Sequence, residues 1–261
     1  ITRAGLNALY EKLLRAQSAD RVRMEGLKED RRAVIGGGIS VLRAVFDLLE
    51  IEEMHVAQGA LRQGALYDLL DREQPETDLR TATVNALMQR FAVDTAHAER
   101  VAATACALFR QAAAPDSERA ERKLEWAAKL HEVGCRISHS DYHRHGAYIL
   151  DNTDAAGFAL PELHRLGILV LGQRGQVRKL EADLSDASFA LQLICLRLAV
   201  ALCHARRAPD ITEMQLLMEP GTFTLKIPSR WPQAFPQSAH LLQEEMVAWQ
   251  KTPWELRVLA D

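Results

Sequence analysis

The chain has 261 residues, which is enough for one large domain or for roughly two or three small ones. Its hydrophobic share of 48% and its charged share of 26% are those of an ordinary globular protein. The net charge of −3 argues against a basic surface spread over the whole molecule, so DNA is not an expected partner, and no apolar run approaches the roughly 18 residues of a membrane span.

The first 74 residues predict a small α/β piece. Ile1–Ser18 place leucines at helical spacing without a start methionine or signal peptide, so we expect the chain to be part of a longer protein. The glycine triplet Gly36–Gly38 stands directly before an apolar helical pattern. Met54–Ala57 predicts a short strand, followed by a turn at Gly59 and a helix from about Gly64. Strand, glycine turn and helix in this order are typical of an α/β element.

The glycine triplet allows two interpretations. Glycines before a helix let the backbone approach a ligand, and the free amides with the helix dipole favour phosphate there. Arg31 and Arg32 lie just upstream, and Arg62 lies in the second glycine turn. The alternative is a tight turn with surface arginines, because the triplet matches no dinucleotide or P-loop fingerprint.

Residues 75–207 predict an all-helical domain. Thr77 or Asp78 can cap the first helix, Asp94 or Thr95 can cap the second, and Gly134 is expected to end the third as its C-cap. Further helical patterns cover about 141–152, 161–172 and 184–206. We therefore expect a helical bundle at the centre of a mainly α protein.

Residues 208–261 predict a small α+β tail. An alternating pattern is interrupted by the turn pair Pro220–Gly221, and a helical pattern and a last apolar strand follow. The chain also contains the four cysteines Cys106, Cys135, Cys195 and Cys203, without CxxC spacing. Such thiols are expected to be reduced, which favours a cytoplasmic protein.

The segment Lys129–Leu150 is the most unusual part of the sequence. It reads KLHEVGCRISHSDYHRHGAYIL and contains the potential ligands or proton carriers His131, Glu132, His139, His143 and His145. Three functional interpretations remain open, namely a metal site, a general acid–base site and an anion-binding groove. A structural alternative is that some histidines hold the loop after Gly134 by hydrogen bonds to backbone carbonyls.

The metal interpretation starts from a helical histidine that is followed by an acidic residue. This pair resembles the signature of the HD phosphohydrolases, in which an earlier histidine, the His-Asp pair and a late aspartate hold a divalent ion that activates water. His97 lies where the early histidine is expected, and His145 resembles an auxiliary histidine. Glu132 replaces the aspartate of the pair, and Val200 stands at the late position, where valine cannot bind a metal. We therefore expect degenerate positions at His97, His131, Glu132 and Val200, without a bound metal.

The groove interpretation draws on cations on both sides of the histidines. Arg144 lies among them, and Arg174, Arg178 and Lys179 follow in LGQRGQVRKL. Arginine can hold a phosphate with a two-pronged fork, and lysine does so as a point charge. The predicted substrate-binding residues are His131, His143, Arg144, His145, Arg174, Arg178, Lys179, Arg32, Gly37, Gly38 and Arg62.

Two separated motifs resemble the carboxy-terminal half of the exopolyphosphatase and guanosine pentaphosphate phosphohydrolase family. The first, HEVGCRISHSDYHRHGAYIL, matches its His-Glu-Val-Gly, His-Ser and His-(Arg/Lys)-His signature. The second, VIGGGISVLRAVFDLLEIEEMHVAQGALRQGALYDLL, matches its Gly-Gly segment and its GALR-x-G-x-LYDLL element. LRLAVAL, without an aspartate, also reads like the degenerate HD-like helix of that family.

The resemblance implies an architecture of two actin-like lobes, an HD-like helical domain and a small tail domain. Residues 1–74 would then be the end of the second lobe, 75–207 the HD-like domain and 208–261 the tail. The family's catalytic acids are implied to lie in the amino-terminal lobes, with Mg²⁺ as cofactor. We therefore expect this chain to bind the polyanion and dimerise, and to be inactive alone.

The function implied first is that of a bacterial, cytoplasmic exopolyphosphatase, which releases terminal phosphate from inorganic polyphosphate as a homodimer. The alternative is hydrolysis of the 5′ triphosphate of guanosine pentaphosphate. A further alternative is an HD-type metal-dependent nucleotide phosphohydrolase, which metal bound through His97, His131 and Glu132 would favour.

Overall fold

The structure is a computed structural model that describes residues 1–56, 61–71, 78–180 and 182–260. The chain divides into two compact units, Ile1–Tyr67 and Asp68–Asp261. Over the described ranges no helix is both long and apolar enough to cross a membrane. The helices are α1 (Arg3–Ala16), α2 (Arg32–Leu48), α3 (Leu61–Asp71), α4 (Leu79–Arg90), α5 (Thr95–Ala112), α6 (Glu118–Lys129), α7 (Tyr142–Asp151), α8 (Leu160–Gly172), α9 (Ala187–Leu202), α10 (Trp231–Ala234) and α11 (Pro236–Trp249), and the strands are β1 (Gln215–Glu219), β2 (Thr222–Ile227) and β3 (Glu255–Ala260).

The first unit is built on α1 and α2. Thr2 caps α1, because its hydroxyl oxygen accepts a hydrogen bond of 3.2 Å from the amide of Gly5. The apolar faces of the two helices bury Leu6, Ile39 and Phe46 in a small core of their own. Packing of these faces, more than helix propensity, stabilises the pair.

The strand predicted at Met54–Ala57 is wrong over its described residues, 54–56. These residues lie outside any strand, and the nearest pairing is an isolated bridge between Thr2 and Glu53. A lone bridge does not build a sheet, because a sheet needs successive paired residues. Ala57 and the turn predicted at Gly59 lie outside the described residues, and the helix predicted after them is α3.

The glycine triplet lies inside α2, so the prediction that it precedes the helix is wrong. α2 begins at Arg32, and Gly36–Gly38 follow in its second turn, where amides are bonded along the helix. The free amides of a helix belong to its first four residues, which end here at Ile35. The triplet is exposed, and a Cβ on any of its glycines would meet no described atom within 4 Å. Contact of Gly37 and Gly38 with phosphate stays a prediction. A glycine loop with free amides does not support this prediction, because both glycines lie inside α2.

The second unit is built around α9. Its sequence, ASFALQLICLRLAVAL, is apolar on nearly all sides, as expected for a helix that is buried all round, and its polar Gln192 and Arg197 are buried as well. α5, α6, α8 and α11 pack against it. The predicted caps Asp78 and Asp94 are confirmed, because their carboxylates accept hydrogen bonds of 3.0 Å from the amides of Arg80 and His97. The predicted helical bundle is therefore confirmed.

The tail contains a three-stranded sheet of order β1-β2-β3. β1 and β2 pair antiparallel on either side of the turn predicted at Pro220–Gly221, where Gly221 adopts a φ of 75°. β3 pairs with β2 in parallel after the connection through α10 and α11. Phe223 and Leu225 of β2 are fully buried in the same hydrophobic core as α9. The fold class, mainly α with a small sheet in the tail, is confirmed, and the three predicted domain boundaries stay predictions.

The four cysteines are free thiols. Cys106, Cys195 and Cys203 are buried in the core, and Cys135 is half-buried. Burial raises the pKa of the Cys106 thiol to about 12, so it stays protonated and unreactive near neutral pH.

Candidate anion-binding site

A groove of about 570 Å³ opens in the second unit between the start of α7 and the segment after α8. Its polar lining consists of His139, Ser140, Asp141, His143, Arg144, Arg174, Gln176 and Lys179. Cations and histidines from two separate chain segments therefore face one space. We refer to it as the cationic groove.

The first wall of the cationic groove depends on Gly134. This glycine lies inside a short 3-10 helix, Val133–Arg136, so the prediction that it caps the preceding helix is wrong. A Cβ at Gly134 would stand 2.0 Å from the Tyr142 carbonyl oxygen and 2.5 Å from the Gly146 amide nitrogen. The absence of a side chain thus lets the 3-10 helix lie directly on α7, whose first turn carries groove residues.

The second wall turns at Gly175. This residue adopts a φ of 82°, in the left-handed region that favours glycine. The turn brings Arg174 and Lys179 to the same opening. A Cβ at Gly175 would lie only 3.7 Å from the Nε2 atom of His143, so the two walls approach each other at this point.

The arginines and the lysine of the cationic groove are held weakly. Arg144 pairs with Asp141 at 3.4 Å, and both side chains are more than half exposed, so solvent screens the pair. The Cζ atom of Arg174 lies 5.7 Å from the centre of the Tyr142 ring. Among the residues that the structure describes, neither Arg174 nor Lys179 forms an ion pair. These cations can therefore turn to an incoming anion at little cost.

His143 is a half-buried histidine that lines the groove. Its Nδ1 atom is buried and has no hydrogen-bond partner among the described atoms. Burial lowers the pKa of His143 below its ordinary value, Asp141 opposes this shift, and Arg144 and Arg174 add to it. The imidazole is therefore neutral at pH 7 in the free protein.

The groove gathers only some of the predicted substrate-binding residues. Those lining it are His143, Arg144, Arg174 and Lys179. Those elsewhere in the second unit are the exposed Arg178, the half-buried His145 and the buried His131. Those in the first unit are Arg32, Gly37, Gly38 and Arg62.

The predicted HD-like positions form a second cluster. His97, in the first turn of α5, meets His131 and Glu132, which follow α6, and their ligand atoms all lie within 4.8 Å of one another. The Nδ1 atom of His131 lies 2.7 Å from the carbonyl oxygen of Ala128, so this histidine does contact a backbone carbonyl. Val200 is partly buried against the core and supplies no ligand atom. We call His97, His131 and Glu132 the histidine cluster.

Arg206 completes the surroundings of this cluster, and the sequence analysis missed it. Its guanidinium donates to both carboxylate oxygens of Glu132, at 2.9 Å and 3.2 Å, and to Asp94 at 3.0 Å. The signal in the sequence was the pair Arg206–Arg207 shortly after α9, which supplies positive charge just beyond the degenerate HD-like helix.

Both histidines of the cluster are neutral near pH 7. Burial lowers the pKa of His131 to about 4, against an opposing effect of Glu132. Burial also lowers the pKa of His97, and the positive charge of Arg206 acts in the same direction. Neutral imidazole is the form that binds metals, and two imidazoles with one carboxylate suit zinc or iron better than Mg²⁺, which prefers oxygen ligands. The Mg²⁺ implied by the resemblance therefore does not fit this cluster.

Two family models match the chain. The model described as "Ppx/GppA phosphatase, domain III" matches residues 79–247, and the model described as "Ppx/GppA phosphatase family" matches residues 1–73. The first range contains the cationic groove and the histidine cluster.

Three similar proteins are named guanosine-5′-triphosphate,3′-diphosphate pyrophosphatase. The protein of Vibrio atlanticus is 34% identical over 263 residues, which cover 99% of this chain and 53% of that protein. The proteins of Aeromonas hydrophila and Pseudoalteromonas translucida are also 34% identical, over 99% and 90% of this chain and 53% and 48% of their own lengths. The chain spans about half the length of the curated relatives it matches.

Proposed function

The chain belongs to the Ppx/GppA phosphatase family, and from this premise we propose that it is the carboxy-terminal part of a hydrolase of guanosine 5′-triphosphate 3′-diphosphate. The observation that carries the proposal is the cationic groove, where Arg144, Arg174 and Lys179 face one space. The names of the relatives favour the guanosine nucleotide, which was the alternative, over the inorganic polyphosphate that the sequence analysis put first.

The proposed role of the groove is to hold phosphate groups that are not being hydrolysed. A guanidinium can donate two parallel hydrogen bonds to a phosphate, and an ammonium adds a mobile point charge. Arg144 and Arg174 come from opposite walls, so a chain of phosphates or a nucleotide with two phosphate groups can contact both. Neutral His143 can donate or accept one further hydrogen bond.

We propose that the reacting groups lie in parts of the enzyme outside this chain. Within the groove the carboxylate present is that of Asp141, which is exposed and paired with Arg144. Mg²⁺ is proposed as the cofactor of the full-length enzyme, and the histidine cluster is not its site because its donors do not fit. The HD-type reaction is not proposed, since Val200 supplies no ligand and Arg206 neutralises Glu132.

Inorganic polyphosphate is the second candidate substrate. Arg178 is exposed, neighbours Lys179 in the chain and is not part of the groove lining, and we propose that it extends the positive charge beyond the groove. A polyanion longer than the groove could use that extension.

We further propose that the full-length protein is a bacterial cytoplasmic homodimer, in agreement with its bacterial relatives and its free thiols.

The test uses the full-length protein that contains this chain. With Mg²⁺ present, we expect phosphate release from guanosine 5′-triphosphate 3′-diphosphate with a higher kcat/KM than release from polyphosphate. The triple variant Arg144→Gln, Arg174→Gln, Lys179→Gln should raise KM at least about tenfold with a smaller change in kcat, because it removes binding contacts distant from the reacting groups. Arg90→Gln, an exposed α4 residue outside the groove lining, is the matched control.

The polypeptide of 261 residues provides the complementary test. We expect it to bind the nucleotide without releasing phosphate when Mg²⁺ is added. Robust turnover by this polypeptide would contradict the proposed division between binding and reacting parts.

A further inference from the structure

Arg206 is the cation of a cluster whose other members are typical metal ligands. Its guanidinium spans both oxygens of Glu132, at 2.9 Å and 3.2 Å, and also reaches Asp94 at 3.0 Å. His97 and His131 present ring nitrogens within 4.8 Å of each other and of the same Glu132 carboxylate. A pair of imidazoles with one carboxylate is the donor set of many zinc sites that keep an open coordination position.

The two histidines are already arranged as ligands. His131 is buried, and its Nδ1 atom lies 2.7 Å from the carbonyl oxygen of Ala128. That contact fixes the proton on Nδ1 and leaves Nε2 with a free lone pair, as in histidines that bind metals. His97 is only 4% exposed, and its Nδ1 atom is buried with no hydrogen-bond partner among the described atoms. Buried nitrogen atoms without partners are uncommon, and they point to a missing ligand.

The position of Arg206 is fixed by its backbone as well as by its ion pairs. It follows the end of α9 and has a φ of 58°, in the left-handed region that residues with side chains rarely adopt. Its side chain is about half exposed, whereas that of Glu132 is 17% exposed. The guanidinium thus closes the cluster from the solvent side.

We propose that Arg206 acts as an internal counter-ion in the place of a divalent metal ion, and that His97, His131 and Glu132 form a latent transition-metal site. The guanidinium supplies the positive charge that the Glu132 carboxylate requires. A divalent ion beside it would meet electrostatic repulsion and would have to break two charge-assisted hydrogen bonds. Removal of the guanidinium leaves a partly buried carboxylate, and two neutral imidazoles next to it. This inference concerns the histidine cluster alone and does not rest on the proposed function.

The experiment titrates the 261-residue chain, stripped of metals, with Zn²⁺ by calorimetry and with Co²⁺ by visible absorption. Arg206→Ala should bind one equivalent of Zn²⁺ roughly ten- to hundredfold more tightly than the unchanged chain. Its Co²⁺ complex should show the strong visible absorption that is typical of Co²⁺ with four or five ligands. Arg206→Lys should stay close to the unchanged chain, because it keeps the charge. Arg207→Ala, which changes the neighbouring arginine, is the matched control and should have no effect.

The double variant Arg206→Ala, Glu132→Gln should lose this tighter Zn²⁺ binding, which would place the ion at the histidine cluster. The proposal is overturned if the unchanged chain binds Zn²⁺ through Glu132 as tightly as Arg206→Ala does. It is also overturned if folded Arg206→Ala, checked by circular dichroism, binds Zn²⁺ no more tightly than the unchanged chain, or if the tighter binding survives Glu132→Gln.

Discussion

The side-chain amide of Gln173 donates a hydrogen bond to the backbone carbonyl of His131. Gln173 directly precedes Arg174 of the cationic groove, and His131 directly precedes Glu132 of the histidine cluster. Gln173 and His131 are 3% and 1% exposed. This bond therefore connects the segment after α8 to the segment after α6 inside the second unit, and it couples the positions of the two candidate sites.

Gln173→Leu should destabilise the protein by about 1–3 kcal/mol, because it leaves the buried His131 carbonyl without its donor. Urea unfolding at an unchanged m-value measures this loss. Gln176→Leu, an exposed residue of the same groove, should shift the free energy of unfolding by no more than about 0.5 kcal/mol. Equal losses in the two variants would show that the buried bond contributes little.

Gly134→Ala and Gly37→Ala should change stability in opposite directions. The methyl group at Gly134 would overlap backbone atoms of Tyr142 and Gly146, which cannot move aside, so we expect a loss of at least about 3 kcal/mol or failure to fold. The methyl group at Gly37 would meet open space inside α2 and should stabilise the helix by about 0.5–1 kcal/mol. Thermal unfolding followed by circular dichroism distinguishes the two, and a stable Gly134→Ala protein would contradict the close contact.

Removal of the charges of Arg174, Arg178 and Lys179 should weaken binding of long polyphosphate more than binding of tripolyphosphate. Arg174 and Lys179 line the groove, whereas Arg178 lies outside its lining, so we expect Arg178 to contact only a longer anion. Arg178→Gln alone should therefore affect the long polymer and spare the short one. Titrations with the long and the short anion at two salt concentrations measure both losses. Each lost phosphate contact lowers the salt dependence of the binding constant. Equal losses for both lengths would argue against an extended track.

Anion binding to the groove should strengthen as the pH falls, and His143 should be the cause. Burial holds the pKa of free His143 below its ordinary value, and a bound anion raises this pKa by favouring the imidazolium. Binding therefore takes up a proton. The affinity for the anion rises as the pH falls through the pKa of His143 in the bound state. It levels off below the pKa of His143 in the free state. The affinity gain is complete only below the ordinary pKa of histidine, because burial lowers the pKa of His143 in the free protein.

Sulfate is the suitable probe for this effect, since its charge is constant over the relevant pH range. Titrations between about pH 5 and pH 8 should show the rise in the unchanged chain and a flatter profile in His143→Gln. His139→Gln changes an exposed histidine of the same groove and should keep most of the rise. A profile that stays steep without His143 would assign the proton uptake to another group.

Features set by neighbouring residues could be predicted from the sequence. The caps Asp78 and Asp94 and the turn at Pro220–Gly221 depend on contacts a few residues long, and all are present. His97, His131 and Glu132 could be grouped in advance because their positions resemble a known signature, and their ligand atoms lie within 4.8 Å of one another; the role of these positions stays a prediction. These successes rest on local chemistry or on resemblance.

Features set by tertiary contacts escaped the sequence analysis. Arg206 and Glu132 are 74 positions apart, so no local pattern joins them. The glycine triplet is helical against its propensity, because Ile39 and Phe46 of the same helix pack into the core with α1. Arg178 and Lys179 are neighbours in one short 3-10 helix, and only the direction of each side chain decides which of them lines the groove.

The burial of α9 on every side has a consequence for how the second unit melts. Helical and tail residues contribute to one hydrophobic core, so neither part can lose its packing without exposing apolar surface of the other. Calorimetry of this unit should accordingly give a single endotherm whose measured enthalpy equals its van't Hoff value. In energetic terms the small sheet and the helical bundle are then one cooperative body, whatever boundary is drawn between them along the chain.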